Sequence, residues 1–232
     1  MTPSSIARVG MWSGLAAVAA TIAYDIVQIL QIAGVLHFPY DEILIFGTSL
    51  CIILPFVLEI LAVHHSTSDD DRFWTHAAVI FATIYAVFGS ANYVVQLTTV
   101  IPAKLHGALP AVQVLEQSPH SLLWDFDALG YMSMGLALLF VIPALGRTGV
   151  ERLARWSCIG NLIATALAGI VYFYPSFSTT LLLIGLPWGI TAPLSMLLIA
   201  LSLRERGIHR RAERHMPVDG PAIDFVVESD RE

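Results

Sequence analysis

Apolar residues dominate six long stretches of the chain, and polar residues collect between them. The stretches are Val9–Val35, Glu42–Val63, Phe73–Ile101, Leu123–Leu145, Ala154–Tyr174 and Thr179–Leu203. A bilayer core about 30 Å thick is crossed by roughly 20 mainly apolar residues in helical form, because a helix satisfies its own backbone where there is no water. The pattern therefore predicts an all-α protein, a polytopic bundle of six transmembrane helices over residues 1–203. Residues 204–232 form a tail, basic at first, then acidic and partly disordered. The first apolar run is too long for the h-region of a signal peptide, so it is read as a span.

Composition agrees with that class and adds little to it. The chain has 232 residues, 56% hydrophobic and 13% charged, with mean hydropathy +0.71. The few charges carry more information. Arg8, Arg72, Arg147, Arg152, Arg155 and the arginines from Arg204 onward fall on alternate connections and the two ends, and Lys104 alone falls on the other side. The positive-inside rule then puts both termini in the cytoplasm, with a bacterial inner membrane as the expected location. The expected partners are the lipid bilayer and a small-molecule ligand, with no nucleic acid; the pattern does not set an oligomeric state.

Inside the spans the polar positions form stripes. Ionisable groups within a membrane are costly and usually face the bundle interior. At a rise of about 1.5 Å per residue, Asp25 stands roughly 24 Å from the start of the first span, and Asn92 roughly 27 Å along the third. Asp127 lies at the start of the fourth, which runs the other way, so all three share the outer half. Tyr24, Gln28 and Gln31 follow helical spacing beside Asp25. Asn92 and Gln96 do so in the third span, and Asp127, Tyr131 and Met134 in the fourth. Converging stripes of this kind predict a polar pocket lined by Asp25, Gln28, Asn92, Gln96, Asp127 and Tyr131. The connection from Pro102 to Ser121 is expected to hang over it as a lid or to serve as a plain interfacial link.

Other features point to packing. Gly10 and Gly14 form a GxxxG pair, and Gly160, Ala164 and Ala168 a small-residue stripe; both allow close helix approach. Ser121 is a plausible N-cap, with Asp125 suited to the positive end of the fourth helix. Pro187 and Pro193 are expected to kink or break the sixth helix. Glu59 is expected to pair with His76 or a nearby arginine. The histidines and carboxylates show no compact ligand spacing, so neither a metal nor a cofactor is expected. The spans so delimited hold no lysine, which excludes a Schiff base within the membrane.

One resemblance bears on the same region. Ala91-Asn-Tyr-Val-Val-Gln-Leu-Thr-Thr-Val-Ile-Pro102, then Gln117-Ser-Pro-His120, then Asp127-Ala-Leu-Gly-Tyr131 resembles a group of uncharacterised bacterial multi-span membrane proteins. Ser118 stands where that group usually has Asn. The resemblance implies that Asn92, Gln96, His120, Asp127 and Tyr131 act together, and it adds His120 to the expected site. It implies no chemistry. Three functions are consistent with these readings: binding or transport of a small, partly apolar molecule; a structural or assembly subunit without a ligand; and a membrane-embedded enzyme using Asp25 and Asp127 as acid and base.

Overall fold

The computed structural model describes residues 2–215, and among them every regular element is helical. The long helices are α1 (Pro3–Ile32), α2 (Tyr40–Ser66), α3 (Arg72–Val95), α4 (Leu122–Val141), α5 (Gly149–Phe173) and α6 (Thr179–His215). Six helical runs are long and apolar enough to cross a membrane. α1 starts six residues earlier than the apolar run suggested, because Thr2 caps it and Pro3 opens its first turn. α6 runs without a break past Pro187 and Pro193 and carries the basic segment Arg204–His215 as helix, so the prolines do not interrupt it. The acidic stretch 216–232 lies outside the described residues.

α3 continues past Val95. Gln96–Val100 forms a wide π-helical turn, in which the Ile101 amide reaches back to the Gln96 carbonyl, and Ile101–Leu105 resumes as α-helix. The third run thus extends to Leu105 and takes in Lys104 at its end, four residues beyond the boundary read from hydropathy.

Each helix packs chiefly on its sequence neighbours, and α6 closes back onto α1, so the six form a ring. Short connections make neighbours antiparallel. One half of the ring, here the upper, adjoins the α1–α2, α3–α4 and α5–α6 connections. The lower half adjoins the first residues and the far end of α6. Large apolar side chains such as Trp12, Leu54, Phe73, Val87 and Ile190 are exposed on the outside. A soluble protein rarely exposes so much apolar surface, and lipid accepts it at no cost.

The lower half is close-packed. Phe56, Ile60, Leu138, Ile199 and Leu203 are fully buried there. Its spacing follows from small residues. A Cβ on Gly10 would strike Ala62 of α2 and come within 2.7 Å of Leu203 Cδ1 on α6. One on Gly14 would strike the Glu59 carboxyl and Ala200. Helix ends in this half are closed by arginines: Arg155 donates to the carbonyls of Ile142 and Leu145, at 3.0 and 3.2 Å, and Arg206 to that of Ala144 at 2.7 Å. These carbonyls lie in the short turn that follows α4, where that of Ile142 also accepts from the Leu145 amide at 3.2 Å.

Candidate functional site

Bulky side chains hold the helices apart in the upper half and enclose a cavity of about 370 Å³, to which all six helices contribute. Asp25, Gln28, Gln96, Asp127 and Tyr131 line it. Asn92 does not; it is fully buried behind the wall. His120 stands apart, exposed in the turn before α4 with a left-handed φ of 65°, where it shapes the chain and does not face the cavity.

Asp127 is 5% exposed and is the most heavily bonded side chain of the site. Its Oδ1 accepts from the Tyr93 hydroxyl at 2.8 Å and from Asn92 Nδ2 at 3.5 Å. Its Oδ2 accepts from the Tyr172 hydroxyl at 2.5 Å and from Gln117 Nε2 at 3.1 Å. A carboxylate offers about four lone-pair sites, and four donors from α3, α5 and the α3–α4 connection occupy them. Local structure makes this possible. Ser121 caps α4 by accepting from the Trp124 amide, which starts the helix about one and a half turns before Asp127 and aims that side chain inward. Asp125, in the first turn, is exposed.

The α3–α4 connection is fastened to the bundle. Gln96 Nε2 donates to the Leu115 carbonyl at 2.8 Å, and Gln96 Oε1 accepts from the Gln117 amide at 3.2 Å. Gln117 in turn accepts from Asn92 Nδ2 at 2.7 Å. Lys104 bridges Glu42 of α2 and Glu116 of the connection, at 2.7 Å each, and all three side chains are largely buried. The connection is therefore part of the wall, held by amides and by one ion triad.

Asp25 is bonded differently. It is half-buried on α1 and has no hydrogen-bond partner among the described residues. Its carboxyl packs over Gly189 of α6, where a Cβ would stand 2.9 Å from Oδ1; glycine is the residue that leaves room for it. Beside it begins a chain of aromatic rings. Tyr24 meets Trp188 edge-on at 6.2 Å, Trp188 meets Tyr131 at 4.7 Å, and Tyr131 meets Tyr172 at 6.1 Å. Tyr172 then meets Trp124 at 4.7 Å, and Trp124 meets Phe177 at 5.7 Å. All six rings line the cavity.

Tyr93, Gln117, Trp124, Tyr172 and Trp188 were not among the residues expected from sequence. Helical stripes relate residues within one span, and these act between spans. The resemblance quoted above was the one signal that touched any of them: its stretches include Tyr93 and Gln117.

Glu59 corrects a second expectation. It is fully buried in the lower half, and neither oxygen has a partner among the described residues. His76 instead lies against His64, with ring centres 5.6 Å apart. Gly14, with no side chain, leaves room for α1 to pack directly over the Glu59 carboxyl. Among the described residues no group of three or more His, Cys, Asp or Glu side chains is placed to hold a metal ion. The chain matches no family model, no curated protein and no solved structure.

Proposed function

We propose that this membrane protein binds, or carries across the bilayer, a small and partly apolar molecule in the upper-half cavity. One observation carries the reading. The cavity holds an acid, Asp25, with no hydrogen-bond partner among the described residues, on a wall whose other acids are met, Asp127 by four donors and Glu42 by Lys104. Its volume of about 370 Å³ falls at the small end of ligand sites. Within this proposal both termini face the cytoplasm of a bacterial cell, the cavity opens toward the outer side, and the chain sits with the bacterial multi-span proteins that share its Asn-Tyr-x-x-Gln-Leu-Thr stretch.

The reading of a structural subunit is favoured at Asp127. Its four donors all come from the chain itself, which suits a clasp between α3, α4 and α5. The same occupancy weakens the acid–base reading, since no lone pair of Asp127 is left over for a substrate. The roles thus divide: Asp127 and Asn92 hold the wall, and Asp25 meets the ligand.

Native mass spectrometry of protein released from mild detergent tests the proposal. The wild type is expected to carry a small added mass. Ala168→Phe, which puts a ring into the cavity from α5, is expected to fold and to lose that mass. Equal retention in both proteins would put the molecule elsewhere, and a bare wild-type protein would favour the structural subunit.

A further inference from the structure

We propose that the molecule taken up by this cavity is a small organic cation, with an ammonium-type head beside Asp25 and an apolar body along the aromatic rings. The inference rests on the reading of the cavity as a ligand site and adds the ligand's charge.

The first argument is the charge left on the wall. Among the described residues Lys104 is the only Lys or Arg on it, and it is already shared between two carboxylates, Glu42 and Glu116, so that triad is net negative. Asp127 is met by four neutral donors. Asp25 is met by none. A fixed negative charge with no counter-charge in a confined, partly apolar space is stabilised by a cation and raises the local concentration of cations.

The second argument is the direction of the hydrogen bonds. The hydroxyl protons of Tyr93 and Tyr172 point at Asp127. Gln96 and Gln117 spend amide protons on the Leu115 carbonyl and on Asp127, and Gln31 donates to Asp41 at 3.1 Å. These donors of the wall are thus turned into the protein, the Trp188 indole N–H is buried without a partner among the described residues, and the phenolic lone pairs and the Asp25 carboxylate are left for a guest. An anion would find few donors here. An ammonium group, which donates or simply carries positive charge, finds acceptors.

The third argument is the juxtaposition of Asp25 with aromatic faces. The carboxyl rests on Gly189, and the preceding residue, Trp188, joins the chain of rings through both Tyr24 and Tyr131. Indole gives the strongest cation–π attraction of any side chain, and stacked aromatic walls are a general means of holding quaternary ammonium groups. Asp25 and Trp188 line the same cavity, so the carboxylate and the indole serve the head and the remaining rings serve the body.

The test is isothermal titration of the full chain in nanodiscs of neutral lipid, with phenyltrimethylammonium against its neutral isostere tert-butylbenzene. The expected result is saturable binding of the cation, at least about tenfold tighter than the isostere, an interval of about 1.4 kcal/mol. Asp25→Asn, which keeps shape and removes charge, is expected to weaken the cation by at least about tenfold. Asp25→Glu is expected to retain most of the affinity, which separates loss of charge from loss of fold. If both compounds bind alike and Asp25→Asn changes neither, the cation inference is overturned while the cavity remains a ligand site. If neither binds to a folded wild-type protein, both readings fall.

Discussion

Asp127 in the upper half and Glu59 in the lower half are both buried acids of the same ring of helices, and their surroundings differ in kind. Asp127 is gripped by two phenols and two amides. Glu59 is packed against a glycine and apolar side chains, with both oxygens lacking a partner among the described residues. The difference follows from helix spacing. Gly10, Gly14, Ala62 and Ala200 bring α1, α2 and α6 into close contact around Glu59. In the upper half, Trp124, Tyr131, Tyr172 and Trp188 hold α4, α5 and α6 apart, and the room they create admits both polar partners and a cavity. Small residues make the lower half a joint, and large ones make the upper half a chamber.

The comparison is broken most severely by Asp127→Ala. Three donors then lose their acceptor at once while Asn92 keeps its bond to Gln117, and each buried donor left unpaired costs about 1–3 kcal/mol. The expected loss is about 3 kcal/mol or more, read as a lowered midpoint of denaturant unfolding in detergent. A loss below about 1 kcal/mol would mean that water or neighbours replace the carboxylate, and that the wall does not depend on its clasp.

Glu59→Met gives a smaller effect of opposite sign. It exchanges an unpartnered buried carboxyl for an apolar side chain of similar length, so stability is expected to rise by about 1 kcal/mol. The same unfolding measurement decides it. A fall would show that the lower half keeps its acid for a contact that close packing does not provide.

The last measurement has no expected effect on stability and assigns the two halves to the two sides of the membrane. Ala108 lies exposed in the α3–α4 connection and Thr148 exposed between α4 and α5. With Cys51 replaced by serine, Ala108→Cys is expected to react with a membrane-impermeant thiol reagent in intact cells, and Thr148→Cys only after lysis. The inverse pattern would turn the upper half to the cytoplasm.

Much of the architecture was legible because lipid imposes it. Six apolar runs map onto six helices, with ends shifted where a cap or a π-turn acts, as at Thr2 and Gln96. The site was legible in part. Asp25, Gln28, Gln96, Asp127 and Tyr131 lie on one wall because depth and helical spacing are properties of a single span. Of the aromatic rings, Tyr24 and Tyr131 lie on those stripes, and Trp124, Tyr172, Phe177 and Trp188 were not found this way. Tyr172 sits on α5 among small residues that signal packing, and Trp188 sits between two prolines that signal a bend. Their proximity to Tyr131 arises from the closing of the ring, which no local pattern records. Glu59 was misread for a related reason: its depth suggested a cation nearby, and the GxxxG pair that seals it off lies on another helix.

The π-turn at Gln96–Val100 has a consequence in the phase of the helix. A bond from Ile101 back to Gln96 encloses one residue more than an α-helical turn does. Everything after it is therefore rotated by about 100° from where an unbroken α-helix would carry it. Residues up to Gln96 keep step with the body of α3, and Lys104 keeps step with the connection. Two sets of contacts on one continuous helix are set by different clocks: the amides that face Asp127, and the ammonium group that joins Glu42 to Glu116. Shortening the turn by a single residue would leave the first set in place and swing Lys104 off both of its carboxylates. The fit between wall and connection thus depends on one counted residue in the middle of an apolar stretch, where hydropathy alone registers no difference.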